Sequence, residues 1–91
     1  MVIEELPDVD EKTEVEKGWQ IILHNDDVNS FEHVIDSLVK YCRHSKLQAE
    51  QCTHIIHFNG KTDVKRGSLD DLLPIQVALL DQKLSATLEE V

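Results

Sequence analysis

The sequence predicts a small α/β domain of the α+β kind, a β-α-α-β-α-β sandwich with three strands in one sheet covered on one face by helices. Three observations carry this prediction. Alternating apolar runs at 19–24 and 84–89 read as strands. Between Phe31 and Cys42 apolar residues recur at helical spacing. Ser45, Ser68 and Gly60 stand where helices start and stop.

Each element has its own signal. In Trp19-Gln20-Ile21-Ile22-Leu23-His24, residues Trp19, Ile21 and Leu23 share a face of a strand. Asn25 to Ser30 form a turn, and Asn29 is the expected N-cap because Glu32 lies three residues on. Phe31, Val34, Ile35, Leu38, Val39 and Cys42 form the stripe of an amphipathic helix. Ser45 with Gln48 opens a second helix, which ends before Gly60 and carries its stripe on Cys52, Ile55, Ile56 and Asn59. Residues 61–66 form a strand on the strength of Thr62 and Val64. Ser68 with Asp71 resembles another helix start, but Pro74 clashes inside a regular helix. The expectation is therefore a turn at 68–72 and a helix from about Leu73 to Gln82, with Pro74 in its first turn. Leu84, Ala86 and Leu88 alternate with Ser85, Thr87 and Glu89 in the last strand.

At 91 residues the chain makes one small domain. Residues 1–17 hold seven acids against Lys12 and Lys17, with no apolar periodicity, and read as a flexible acidic tail ahead of a domain at 18–91. The whole chain has 18 acidic and 9 basic residues, net −9, which argues against nucleic acid and suits cationic partners. No apolar run is long enough to span a bilayer and no secretory leader is visible, so no membrane is expected as a partner and the location expected is the cytoplasm. Cys42 and Cys52 both fall on apolar helix faces, where reduced thiols are expected rather than a disulfide.

The chemistry concentrates where the first strand ends. Asn25, Asp26 and Asp27 can offer acceptors to an ammonium group, which has three N–H donors, and a neutral His57 can offer one more. Thr53, Ile56 and His57 share a face of the second helix, and Phe31 and Val34 follow the acidic turn on the first. Packed side by side, these helices wall an apolar pocket beside a polar cluster. A free α-amino group followed by a bulky side chain fits that description. The alternative is that Asp26 and Asp27 satisfy loop amides, that Asn25 forms an Asx-turn, and that the apolar residues are ordinary core. His24, His33, His44, His54 and His57 lack a metal-binding pattern, and the two cysteines do not form C-x₂-C. No Gly-rich elbow accompanies a Cys-His or Asp-His pair, so no cofactor, metal or catalysis is expected.

The run Ile22-Leu23-His24-Asn25-Asp26-Asp27, the Phe31-to-Leu38 helix of FxxVIDxL form, and His57-Phe58-Asn59-Gly60-Lys61 together resemble the ClpS family, the substrate adaptors of the bacterial Clp unfoldase–protease. The resemblance implies a three-stranded antiparallel sheet covered on one face by three helices, as in the ribosomal stalk protein's C-terminal domain. It implies a non-enzymatic, monomeric adaptor that binds a destabilising hydrophobic N-terminal residue and docks on the N-domain of a Clp AAA+ unfoldase. Asn25, Asp26 and His57 match the positions that hold the α-amine, and Asp27 an acidic position at the entrance. Asn29, Phe31, Val34, Thr53, Ile56 and Leu84 match the side-chain pocket. Family members commonly have Met at Phe31 and Thr53 and Thr at Asn29. The smaller Thr53 opens room for Ile or Val, and the larger Phe31 takes room back. The third helix is shorter than usual; Asp71 can serve as its acidic docking residue, but Gln76 stands where a lysine is expected. The alternative function is an interaction domain of the same fold without terminal-residue recognition.

Overall fold

The structure, a computed structural model, describes residues 18–91; the tail expected at 1–17 lies outside them. The elements are β1 (Trp19–His24), α1 (Phe31–Cys42), α2 (Lys46–Asn59), β2 (Lys61–Gly67), α3 (Leu69–Asp81) and β3 (Ser85–Glu90). The strands form one antiparallel sheet in the order β2-β1-β3, with the apolar β1 in the centre. Ile21 and Leu23 face a core completed by Leu38 and Cys42 of α1, Ala49 and Ile56 of α2, Val64 of β2, Leu72 and Leu79 of α3, and Leu84 and Ala86. All three helices therefore lie on one face of the sheet. Ile22 points to the other face, flanked in register by Asp63 and Thr87, and is buried there outside the main cluster.

The register of β1 against β2 skips a residue, because Ile21 pairs with Lys65 and Ile22 with Asp63. Val64 is the extra residue of this bulge. Its carbonyl accepts a 2.6 Å hydrogen bond from Nε2 of the buried His44, which anchors the α1–α2 corner to the sheet. His44 follows Arg43, the left-handed C-cap of α1 at φ 60°.

Three details of the sequence expectations change. Ser30, not Asn29, caps α1, its hydroxyl accepting the His33 N–H at 3.1 Å. Asn29 is engaged elsewhere. The buried face of α2 is Ala49, Thr53 and Ile56, whereas Ile55 and Asn59 are exposed and Cys52 is half-buried. Two small residues close to the sheet carry that face, so hydrophobicity alone pointed one position round the helix. Finally, α3 starts at Leu69 rather than Leu73, because Ser68 caps it by accepting the Asp71 N–H at 3.1 Å. Pro74 sits inside the helix, where its missing N–H deprives only the carbonyl of exposed Asp70 of a helical partner. The other caps follow expectation: Ser45 accepts from the Gln48 N–H, and Gly60 ends α2 at φ 95°. No helix among the described residues is long and apolar enough to cross a membrane.

Candidate functional site

The loop between β1 and α1 is fastened at both ends. The Asn25 N–H donates to the Gly60 carbonyl at 2.8 Å, so the residue where β1 ends is tied to the turn where α2 stops. Gly60 can make that turn because it lacks the Cβ that disfavours positive φ. Further along, one Asp26 oxygen accepts the N–H groups of Val28 (3.0 Å) and Asn29 (3.1 Å). The Asn29 side-chain amide donates to both Asp26 oxygens at 3.0 Å and to the Lys83 carbonyl at 2.9 Å. Lys83 turns that carbonyl towards the loop from a left-handed conformation, φ 69°. Asp26 thus does satisfy loop amides, as one sequence reading held. Its second oxygen takes only the Asn29 amide here, and a carboxylate oxygen has room for a further donor.

Beside this loop lies a cavity of about 230 Å³. Asn25, Asp26, Asp27 and His57 give its lining a polar side, and all but the half-buried Asp26 are exposed. Phe31 and Val34 come from α1, Thr53 and Ile56 from α2, and Leu84 from the start of β3. Thr53, Ile56 and Leu84 are buried and form the floor, whereas Phe31 stands at the rim with 39% of its surface exposed. Thr53 donates its hydroxyl to the Ala49 carbonyl at 2.8 Å, so that donor is spent within α2. Sites for drug-sized ligands run to about 300–1,000 Å³, so this smaller space suits a single side chain. Its polar edge and apolar floor sort a guest into a hydrogen-bonding head and a greasy body.

The structure brings together every predicted site residue except Asp71, which is exposed in the first turn of α3 and does not line the cavity. Asn29 lines the cavity but also holds Asp26 in place. Leu23, His24 and Ser30 line it too. The β1 alternation placed Leu23 only in the core, and the helix cap at Ser30 was assigned one residue too early. His24 bonds across the sheet to the Thr87 hydroxyl at 2.9 Å.

Among the described residues no group of three His, Cys, Asp or Glu is placed to hold a metal. His33 and His44 are engaged with the carbonyls of Gln82 and Val64. Both cysteines are free thiols. Burial pushes Cys42 up to about 11, with Lys65 pulling it partly back and Cys52 adding to the rise. Cys52 is also raised, by burial and then by Asp63. Neither thiol is poised as a thiolate nucleophile near neutral pH.

Comparison with known proteins agrees with this architecture. A family model described as ATP-dependent Clp protease adaptor protein ClpS matches residues 14–86. No curated protein matches by sequence. Eighteen chains of solved structures do match. One is Agrobacterium tumefaciens ClpS2 bound to L-phenylalaninamide, at 20% identity and a TM-score of 0.71, covering 84% of this chain and 99% of that one. At that identity the likeness speaks for the fold: three helices over a three-stranded antiparallel sheet. The family match spans most of the sequence, and the chain belongs to the ClpS family of adaptor proteins of the ATP-dependent Clp protease.

Proposed function

We propose that this adaptor captures proteins by a free amino terminus with a hydrophobic first residue and delivers them to a Clp AAA+ unfoldase through its N-domain. The observation that carries the reading is the adjacency of polar acceptors to a buried apolar floor in one cavity of side-chain size. The α-amine donates to Asp26, to the Asn25 amide oxygen and to a ring nitrogen of His57. Asp27 adds negative charge at the entrance. The first side chain enters between Phe31 and Val34 and rests on Thr53, Ile56 and Leu84. Burying a Leu or Phe side chain contributes about 1.5–3 kcal/mol, and a charge-assisted bond to the amine about as much. The two requirements together make the first residue of a chain distinguishable from the same residue inside one. A ClpS2 structure with bound L-phenylalaninamide, an aromatic residue with a free amine, supports the reading by analogy. Asp71 offers an acidic contact for the unfoldase on a helix away from the cavity mouth, so both partners can be held at once. Cleavage then belongs to the partner protease.

The test is a fluorescence-anisotropy titration with peptides identical after residue one and beginning with Phe, Leu, Ile or N-acetyl-Phe. The expected result is binding of free Phe and Leu peptides and silence from acetyl-Phe. The Ile peptide reads how Thr53 and Phe31 divide the space. Asp26→Asn removes the charge from the acceptor, and the expected loss is at least about tenfold. Binding of acetyl-Phe as tightly as Phe overturns the reading in favour of a surface that ignores the terminus.

A further inference from the structure

Four aromatic rings run from the cavity out to solvent. Phe31 and His57 both line the cavity, with ring centroids 5.1 Å apart and planes at 71°. Phe31 also meets His54, which lies outside the lining, at 5.4 Å and 83°. Phe58 packs against His57 at 5.1 Å and 78°. It lies nearly parallel to His54, with 8° between planes and 6.3 Å between centroids. Phe58 is 76% exposed, so it contributes little to the core. A solitary exposed apolar residue is ordinary. This one continues the wall of a cavity.

We propose that the exposed Phe58 ring, with His54 stacked beside it, forms a second subsite, an aromatic plate that takes the side chain of the second residue of a bound amino terminus, and that the side chain it fits is arginine. The inference rests on the reading of the cavity as an amino-terminus pocket. With the α-amine at Asn25, Asp26 and His57, the next Cα lies about 3.8 Å along the chain. The Phe58 ring, 5.1 Å from His57, is within reach of a long side chain at that position. Three features select a planar cation. Asp26 and Asp27 lie on the cavity's polar side, and Asp27 is exposed. The plate sits on the last turns of α2, at the negative end of the helix dipole, where His57 is the only basic residue of the final turn. A guanidinium stacks on an aromatic face and hydrogen-bonds around its edge, whereas an ammonium acts as a point charge. An aliphatic second residue gains only contact area. Lys61, the next cation along the chain, follows as the first residue of β2, with its backbone in register with His24.

The test measures the affinity of the full chain for peptides beginning Phe-Arg, Phe-Lys and Phe-Ala, identical thereafter. The wild type is compared with Phe58→Ala, Phe58→Leu and Phe58→Tyr. Phe-Arg is expected to bind about three- to fivefold more tightly than Phe-Ala, with Phe-Lys between them. Phe58→Ala and Phe58→Leu bring Phe-Arg close to Phe-Lys, each affinity being read as a ratio to Phe-Ala in the same variant. Phe58→Tyr, which keeps the ring, keeps the preference. If Phe-Arg and Phe-Lys bind equally and Phe58→Ala alters neither, the preference is diffuse charge at the mouth and the plate is overturned. Equal binding of all three peptides overturns the plate alone. Failure of Phe-Ala to bind at all removes the amino-terminus reading, and this inference with it.

Discussion

Replacing Asn29 by alanine separates two roles that one residue can play at the cavity. Its side-chain amide has two hydrogens, one on the Lys83 carbonyl at 2.9 Å and one shared between the Asp26 oxygens at 3.0 Å each. A bond to a charged acceptor typically contributes about 1.5–3 kcal/mol and a neutral one about 0.5–1.5. Asn29 and Asp26 are half-buried and the Lys83 contact is exposed, so the lower ends apply and the expected destabilisation is about 2 kcal/mol. In a domain of this size that lowers Tm by about 10 °C, and urea unfolding reports it as a shifted midpoint at constant m. Binding carries a second signature. If Asn29 acts by steadying the amine acceptor, affinity for Phe- and Leu-initiated peptides falls by the same factor. If it acts as pocket wall, the two peptides diverge. A stability loss below about 0.5 kcal/mol, or an affinity loss confined to one peptide, refutes the strut.

Three further outcomes follow from the same geometry. Gly60→Ala is expected to cost about 1 kcal/mol from backbone conformation alone, because φ is 95° and an added Cβ meets nothing within 4 Å. Gly60→Asn should cost less, and a neutral Ala variant in thermal unfolding contradicts the account. For Cys42, the unfolded thiol ionises near the ordinary value of 9.0 and the folded one only near about 11. Above pH 9 the unfolded state therefore holds fewer protons, so this contribution to stability is intact below pH 9 and lost as pH rises through about 11, on the order of 2 kcal/mol in all. The stability–pH curves of wild type and Cys42→Ala should differ in slope in that window and run parallel below it. Pro74→Ala restores a donor for the Asp70 carbonyl at an exposed helix position and should raise stability by about 1 kcal/mol; a lower urea midpoint contradicts it.

Legibility tracked the range of the interaction. The stripe of α1 was readable because large apolar residues recur within one helix, and the Ser45 and Gly60 boundaries because caps are local. The α2 face was misplaced because Ala49 and Thr53 give close approach rather than hydrophobicity. The start of α3 was lost to a rule about proline that the Ser68 cap outweighs. At the cavity, the acidic turn and the Thr53-Ile56-His57 face were visible as pattern, and the structure sets them around one space. The bond from Asn29 to Lys83 was not visible, for it joins residues 54 apart through a backbone conformation that lysine does not advertise. The bulge at Val64 was equally hidden, since its partner His44 reads as loop. Exposed Phe58 belongs to no period.

The Val91 N–H donates to the Gly18 carbonyl at 3.0 Å, so the described chain closes on itself beside the first residue of β1. Asn25 leaves from the other end of that six-residue strand, about 20 Å away at roughly 3.3 Å per residue. This chain closure and the cavity therefore occupy opposite poles of β1. A chain immobilised on a sensor surface through Val91 presents the cavity outward, and a fluorophore linked there reports on binding without standing in the mouth.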